Sequence, residues 1–310
     1  MKQDLLGKLE ERGYAARIVP IHHLGDLREG IEGAYKRGLI DEDVYREYLT
    51  VLRFEPPASL PDARSLIVVA VPQPSVQFIF TWDGKPAPLV VPPTYLKSRQ
   101  VDRQVEDVLA EILHPAGYRV TPAPVPKKLL AVCSGLAVYG RNNVSYVDGM
   151  GSFYRLAAFA SDLPCLEDTW QKPRMMEACQ KCAACRRKCP TGAITVERFL
   201  LHAERCIVFH NEKPTSVPFP GWIDASAHNC LVGCMTCQRV CPQNKDFVHW
   251  VEEGAAFSQE ETTLLLQGQI LDRLPPATAE KLERSGLASY LDVLPRNLAA
   301  LLGQGVSKIP

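Results

Sequence analysis

Apolar residues recur three or four positions apart in several stretches of the chain, which is the spacing of an amphipathic helix. This pattern predicts three short N-terminal helices within residues 3–14, 26–39 and 41–54. A shorter helix is predicted over about residues 127–135. The strongest apolar stripe lies within residues 98–117, ends before a glycine and consists of Val101, Val105, Val108, Leu109, Ile112 and Leu113.

Short apolar runs bounded by turn-forming residues predict strands instead. The run from Leu66 to Val71 is too short for a core helix and predicts a buried strand. Two β-prone runs within residues 143–162 flank Asp148-Gly149-Met150-Gly151, which predicts a hairpin or a closely related turn. Residues 56–126 hold 13 of the 25 prolines, so we expect long irregular loops there that wall a site.

These patterns predict an α+β protein with three segments. An α/β domain over residues 1–165 is followed by a loop-rich, cysteine-bearing domain over 166–250. A small helical tail over 251–310 begins with a capping box, in which Ser258 and Glu261 precede a run of leucines.

Composition narrows the class of protein. The chain has 310 residues, 46% of them hydrophobic, and its 35 basic and 35 acidic residues cancel. A globular protein with no strong signal for nucleic acid or anionic membrane is therefore expected. The N-terminus carries no signal-peptide pattern, and no apolar stretch approaches about 18 residues. We expect a cytoplasmic protein without membrane segments, in a reducing compartment that keeps its eleven cysteines as thiols.

Eight of the eleven cysteines form two runs that each end in Cys-Pro: Cys179, Cys182, Cys185, Cys189 and Cys230, Cys234, Cys237, Cys241. The first run has the C-x2-C-x2-C-x3-C-P spacing of bacterial ferredoxins, which predicts two [4Fe–4S] clusters in a ferredoxin-like module. Zinc is the main competing metal. Zinc sites use CxxC pairs, however, and do not require two four-cysteine runs that end in proline.

In the ferredoxin pattern the last cysteine of each run binds the cluster of the other run. One cluster is therefore assigned Cys179, Cys182, Cys185 and Cys241. The other is assigned Cys189, Cys234, Cys237 and one further thiol. That thiol is either Cys230 or Cys206, and spacing alone slightly favours Cys230.

Several segments, in this order, resemble the epoxyqueuosine reductases and, more distantly, the reductive dehalogenases: GLAVYGRNN at 135–143, GSFYRLAAFASDLP at 151–164, the first cysteine run, ERCIVF at 204–209 and VGCMTCQRVCPQN at 232–244. The resemblance implies a nitroreductase-like α/β domain that binds cobalamin, followed by the two-cluster module. It also implies that Cys206, within Arg-Cys-Ile, is the eighth ligand and that Cys230 is spare. The spacing of the dehalogenases argues for Cys230.

The resemblance further implies a corrinoid held against the glycine segments. The residues it places there as cofactor-binding are Gly135, Gly140, Arg141, Asn142, Gly151 and Ser152. Tyr139 and Tyr154 flank these segments and are the candidate catalytic proton donors. Taken as sequence alone, the glycines are equally ordinary turn residues and the tyrosines ordinary packing residues.

Three positions depart from the epoxyqueuosine reductase pattern. Thr121 stands where the resemblance places an acidic proton donor, Val138-Tyr139 replaces Trp-Ile, and Gln243 replaces a tryptophan. We therefore predict an iron–sulfur reductase that acts on a small molecule other than epoxyqueuosine and receives electrons from an external donor such as ferredoxin or flavodoxin. One alternative is an electron-transfer protein that reactivates a corrinoid without a substrate of its own. Another is a ligand-binding protein with structural clusters.

The remaining metal-ligating side chains carry less information. Cys133 and Cys165 are interpreted as small buried hydrophobic residues. The pair His22-His23 and the single His228 are able to bind metal, but they lack i, i+4 pairing, so we expect them at the surface.

Overall fold

The computed structural model describes residues 1–303 and divides the chain into two compact units. The first unit contains residues 1–73, 98–186 and 194–204, and the second contains 74–97, 187–193 and 205 onwards. The predicted boundaries at residues 165 and 250 stay a prediction. The last part of the predicted tail, residues 304–310, lies outside the described residues.

The helices are α1 Lys2–Glu10, α2 Leu24–Lys36, α3 Glu42–Val44, α4 Ser98–Leu113, α5 Lys127–Cys133, α6 Ala184–Lys188, α7 Ile207–Asn211, α8 Thr236–Arg239, α9 Gln259–Leu266, α10 Pro276–Ser285 and α11 Leu294–Leu301. The strands are β1 Ala15–Pro20, β2 Ser65–Pro72, β3 Ser75–Trp82, β4 Lys85–Val91, β5 Val120–Pro122, β6 Val138–Tyr139, β7 Ser145–Tyr146, β8 Tyr154–Ser161 and β9 Val251–Phe257. Within residues 1–303, no helix is long and apolar enough to cross a membrane.

A four-stranded antiparallel sheet with the order β1-β2-β8-β5 organises the first unit. Alternate residues of β2 enter two different apolar cores, one shared with α2 and α5 and the other with α1 and α4. Because helices cover both faces of the sheet, β2 needs apolar side chains at every position. This explains its unbroken apolar run and confirms the predicted buried strand.

The predicted helices of this unit are confirmed by α1, α2, α4 and α5, and by α3 with the π-turn Tyr45–Leu49 that continues it. The two β-prone runs of 143–162 are strands joined by a tight turn, in which Val147 pairs with Gly151. The strands on either side do not pair with each other, because β7 pairs with β6 while β8 pairs with β2 and β5. The related turn is therefore confirmed, and the hairpin is wrong.

The second unit contains a sheet with the order β4-β3-β9, in which β9 runs parallel to β3. The β3-β4 hairpin turns at Asp83-Gly84, and both residues have positive φ. Pro86 and Pro88 fit in β4 because it is an edge strand. Part of residues 56–126, predicted to form irregular loops, is therefore a regular hairpin. The predicted helical tail over 251–310 begins with the strand β9. The predicted capping box of α9 and the helices α9 to α11 are confirmed.

Candidate iron–sulfur and cofactor sites

The first three cysteines of the first run belong to the first unit. Cys179 closes a 3-10 turn and Cys185 lies in α6, and both are buried. The guanidinium of Arg141 donates hydrogen bonds to the carbonyl of Cys179 through Nη2 (2.7 Å) and to that of Cys182 through Nε (3.2 Å). Arg141 therefore orients the backbone between two predicted ligands.

The cysteines predicted for the other cluster, together with both candidates for its fourth ligand, belong to the second unit. Cys206 precedes α7 as its N-cap residue, and its thiol interacts electrostatically with the thiols of Cys234 and Cys189. The thiol of Cys230 interacts with that of Cys234 and donates a hydrogen bond to Oδ1 of Asn229 (3.3 Å). Burial raises the pKa of Cys206 and of Cys230 to about 12, so either thiol needs a metal ion to become a thiolate near neutral pH.

Gly233 precedes Cys234 and has two reasons to be glycine. Its φ is +74°, and a Cβ atom there would lie 2.7–2.8 Å from ring atoms of Tyr95. The Tyr95 hydroxyl donates a hydrogen bond to Oε1 of Glu212 (2.5 Å), which fixes the ring over the glycine. Burial, together with the Glu212 charge, raises the pKa of Tyr95.

Asn211, at the end of α7, ties the segment of Cys206 to the segment of Cys234. Its Nδ2 donates to the Gly233 carbonyl (2.6 Å), and its Oδ1 accepts from the Gly233 N–H (3.1 Å). Asn297 of α11 then donates through Nδ2 to the carbonyls of Asn211 (2.7 Å) and Leu231 (2.8 Å). The C-terminal helix therefore supports both segments that carry predicted ligands.

Arg296 adds to this support and is only 1% exposed. Its guanidinium lies 4.0 Å from the centre of the Phe219 ring, and burial lowers its pKa to about 10. It donates hydrogen bonds to the backbone carbonyls of His210, Lys213, Pro214 and Val217. The sequence analysis missed this arginine; an Arg-Asn pair between leucines in LPRNLAALL is the signal that marks a buried polar contact.

The cofactor-binding residues predicted from the resemblance fall into two groups. Gly135 and Gly151 have positive φ, and Ser152 is buried next to the tight turn. A Cβ atom on Gly135 would lie 3.4 Å from Nε2 of Gln171, an ordinary contact, and Gly149 has no heavy atom within 4 Å of such a position. The space beside Gly149 is therefore open, whereas the position beside Gly135 is already in contact with Gln171.

Gly140, Arg141 and Asn142 contact other residues of the chain instead. A Cβ atom on Gly140 would lie 2.5 Å from Oδ1 of Asn142 and 2.6 Å from Cε2 of Tyr146. The buried Asn142 donates through Nδ2 to the Tyr146 hydroxyl (3.0 Å) and accepts from the Val144 N–H (3.3 Å). Internal packing accounts for the glycine and the asparagine.

We expect Gly140→Ala to destabilise the protein by about 1–3 kcal/mol, because the new methyl group overpacks a buried contact. Gly25→Ala is the matched control, since Gly25 lies in α2 and has no heavy atom within 4 Å of a Cβ position. Thermal unfolding of the anaerobic protein measures both. A Gly140→Ala variant as stable as the control would contradict this packing argument.

The two candidate proton donors lie near each other in the first unit. Tyr154 is buried and donates from its hydroxyl to Oγ of Ser145 (2.7 Å). Tyr139 is half-buried, and its ring meets Phe199 edge-on at 5.4 Å. Burial raises the pKa of both tyrosines well above the usual value, and the charges of Cys133 and Tyr154 add to the effect on Tyr139. Proton donation to a weakly basic group is therefore unfavourable for either hydroxyl.

Thr121, at the place of the missing acid, lies in the edge strand β5. Its hydroxyl is 3.0 Å from the hydroxyl of Ser59. Residues 120–126, with the sequence VTPAPVP, contain no carboxylate. The segment thus supplies no acid of the carboxylic type.

The cysteine sets define this as a protein with a double iron–sulfur module. Residues 178–244 match the family described as 4Fe-4S double cluster binding domain. This match confirms the predicted pair of [4Fe–4S] clusters.

The chain resembles the epoxyqueuosine reductases in sequence. It is 30% identical over 224 residues to that of Pseudomonas aeruginosa, which covers 68% of this chain and 58% of the relative. The identity with that of Staphylococcus aureus is 25% over 267 residues, or 81% of this chain and 64% of the relative. The chain thus spans less than two thirds of the length of these relatives.

Solved structures of epoxyqueuosine reductases have the same fold. A selenomethionine-labelled one superposes with a TM-score of 0.68 at 20% identity, covering 97% of this chain and 80% of that one. A complex with an epoxyqueuosine-modified stem loop of tyrosine tRNA gives 0.66, with the same identity and coverage. These likenesses confirm the predicted fold class, an α+β domain with a double-cluster module and a helical tail. The resemblance also supports the predicted cobalamin cofactor.

Proposed function

We propose that this chain is an iron–sulfur oxidoreductase that passes electrons through two [4Fe–4S] clusters to a corrinoid, for the reduction of a small molecule. The observation that carries the proposal is the double-cluster match over residues 178–244. Two clusters with thiolate ligands transfer single electrons without a change of ligands, which suits an electron path better than a structural role. The resemblance to reductases supports the rest.

The proposed ligand sets follow the ferredoxin pattern. Cys179, Cys182, Cys185 and Cys241 bind one cluster, and Cys189, Cys206, Cys234 and Cys237 bind the other. The charges of Cys189 and Cys234 help to raise the pKa of Cys206, and this influence of both thiols supports its place in the second set. The hydrogen bond from Cys230 to Asn229 supports its role as a buried, spare thiol.

The residues that we propose for a corrinoid are Gly135, Gly151 and Ser152, because both glycines have positive φ and carry no side chain that would hold a large flat ring away from the backbone. Gly140, Arg141 and Asn142 act through the protein instead, by packing and by holding the loop of Cys179 and Cys182. A bound corrinoid supplies a strongly reducing Co(I) centre. Tyr139 and Tyr154 remain the proposed proton donors, and their raised pKa restricts them to strongly basic partners.

We propose that the substrate is not epoxyqueuosine. The reason is that Thr121, which cannot act as a carboxylic acid, stands where the resemblance places the acidic proton donor. The hydroxyl contact between Thr121 and Ser59 and the absence of a carboxylate from residues 120–126 support this. The solved structure of a Bacillus subtilis epoxyqueuosine reductase is described with an aspartate catalytic loop. The proposed electron donor is a ferredoxin or flavodoxin, and the proposed location is the cytoplasm, where thiols stay reduced.

The cofactors are tested in anaerobically purified, reconstituted protein. We expect about eight iron atoms per chain, from two four-iron clusters, and corrinoid absorbance that stays with the protein through gel filtration after cobalamin is added. Iron near four per chain, or stoichiometric zinc at the cysteines, would contradict the two-cluster proposal. Full iron without retained corrinoid would favour the alternative of a ligand-binding protein with structural clusters.

The substrate proposal is tested with RNA that contains epoxyqueuosine, using cobalamin-loaded protein and a strong reductant. We expect no conversion to queuosine, while an epoxyqueuosine reductase assayed in parallel converts the same RNA. Thr121→Asp alone is not expected to restore activity, because a proton donor acts only within about 3 Å of its target and Tyr139 and Gln243 also depart from the family. Efficient turnover by the unmodified chain would overturn the proposal.

A further inference from the structure

The pair His22-His23 is not simply a surface feature. It occupies a 3-10 turn between β1 and α2, where His22 is exposed but His23 is only 5% exposed. The expectation that both histidines lie at the surface is therefore wrong for His23. The buried ring is held on three sides by side chains from elsewhere in the same unit.

Both ring nitrogens of His23 face carboxylates. Its Nε2 lies 2.8 Å from Oδ2 of Asp168, and its Nδ1 lies 2.5 Å from Oδ2 of Asp26. The indole of Trp170 stacks on the imidazole at 4.0 Å with an interplanar angle of 7°. The plane and direction of the ring are thus fixed before any ligand arrives.

Asp168 and His22 complete a set of three potential ligands. The Asp168 carboxylate accepts the Trp170 backbone N–H through Oδ1 (3.0 Å), which leaves Oδ2 directed at His23. The ring of His22 lies 4.2 Å from that of His23. One ligand atom from each of His22, His23 and Asp168 lies within 4.8 Å of the others.

We propose that His22, His23 and Asp168 bind one divalent transition-metal ion of the zinc class. Two imidazoles and a carboxylate are ligands of this class, and three protein ligands leave a fourth tetrahedral position open. Asp26 fits the outer carboxylate of a carboxylate–histidine–metal arrangement, which orients the ring and fixes its tautomer. Bonds of about 2.0–2.1 Å separate neighbouring ligand atoms by about 3.3 Å, so the His23–Asp168 contact has to open only slightly.

A metal ion at this site would link residues 168–171 to the histidine turn of the first unit. Residues 168–171 run beside the end of α5: the Thr169 hydroxyl donates to the Ser134 carbonyl (2.8 Å), and the Gln171 N–H donates to the Cys133 carbonyl (2.8 Å). An ion shared by Asp168 and the histidine turn joins this segment to residues 21–23. The proposed site uses none of the cysteines assigned to the clusters, and it does not depend on the proposed function.

The test uses cluster-loaded protein, given one equivalent of zinc and passed through gel filtration, with zinc and iron measured on the same sample. We expect about one zinc per chain in the wild type and at least tenfold weaker binding in His22→Ala at equal iron content. His22 is exposed, so its removal spares the core. His114→Ala, which removes another exposed histidine of the same unit, is the control and is expected to match the wild type.

Asp26→Asn tests the outer carboxylate and is expected to weaken zinc binding by about 10–100-fold. Zinc should also raise the Tm of the wild type and of His114→Ala, but not that of His22→Ala. Equal zinc binding by the wild type and His22→Ala would overturn the proposal and place the ion elsewhere, for example at the cysteines. The absence of stoichiometric zinc in the wild type would overturn it as well.

Discussion

Cys206→Ala is expected to remove one of the two clusters and to lower the iron content from about eight to about four atoms per chain, whereas Cys230→Ala keeps both clusters. The reason is the position of each thiol. The charges of Cys189 and Cys234 both help to raise the pKa of Cys206, whereas of these two only Cys234 acts on Cys230. Cys230 is 1% exposed, and its thiol already donates a hydrogen bond to Asn229.

The two variants are matched controls for each other, since both replace a thiol of the second unit with a methyl group. Iron analysis and electron paramagnetic resonance of the reduced proteins distinguish them. A loss of one cluster signal in Cys230→Ala, with both signals kept in Cys206→Ala, would favour the dehalogenase-like ligand set. Unchanged spectra in both variants would show that neither cysteine is a ligand.

The features that could be predicted from sequence are those fixed by short-range chemistry. The spacing of the cysteines is set by cluster geometry, so the double-cluster module follows from CQKCAACRRKCP and its partner run. The apolar stripe of α4 arises because this helix is buried on one face. The unbroken apolar run of β2 arises because this strand is buried on both faces. The capping box at Ser258 is equally local.

The features that sequence reasoning missed depend on distant partners. The number of prolines in 74–97 concealed a hairpin, although Asp83-Gly84 is a strong turn signal and edge strands tolerate proline. No local pattern shows that β9 pairs in parallel with β3, whose residue Ser75 lies opposite the distant Val251. Likewise, nothing near Arg141 indicates that its donors are used by the carbonyls of Cys179 and Cys182.

The hydrogen bonds from α11 to the segments of Cys206 and Cys234 are another long-range feature, and their loss has a large predicted effect. We expect Arg296→Leu to destabilise the second unit by at least about 3 kcal/mol and to lower the occupancy of the second cluster. Several buried carbonyls lose their donor, at about 1–3 kcal/mol for each group left unsatisfied. These carbonyls belong to the segment that follows Cys206. The neighbouring Asn297 donates hydrogen bonds both to this segment and to Leu231, in the segment of Cys234.

Arg284→Leu is the matched control, because it makes the same change at an exposed position of the tail. Its ion pair with Glu280 is a surface pair worth about 0–1 kcal/mol, so stability and iron content should stay near those of the wild type. Arg296→Lys keeps the charge but loses the planar set of donors, so it should fall between the two. Thermal unfolding and cluster absorbance of the anaerobic proteins measure all three.

If Arg296→Leu retained full iron and a wild-type Tm, the tail would not support the cluster. If Arg296→Lys matched the wild type, the positive charge rather than the hydrogen-bond geometry would be the stabilising property.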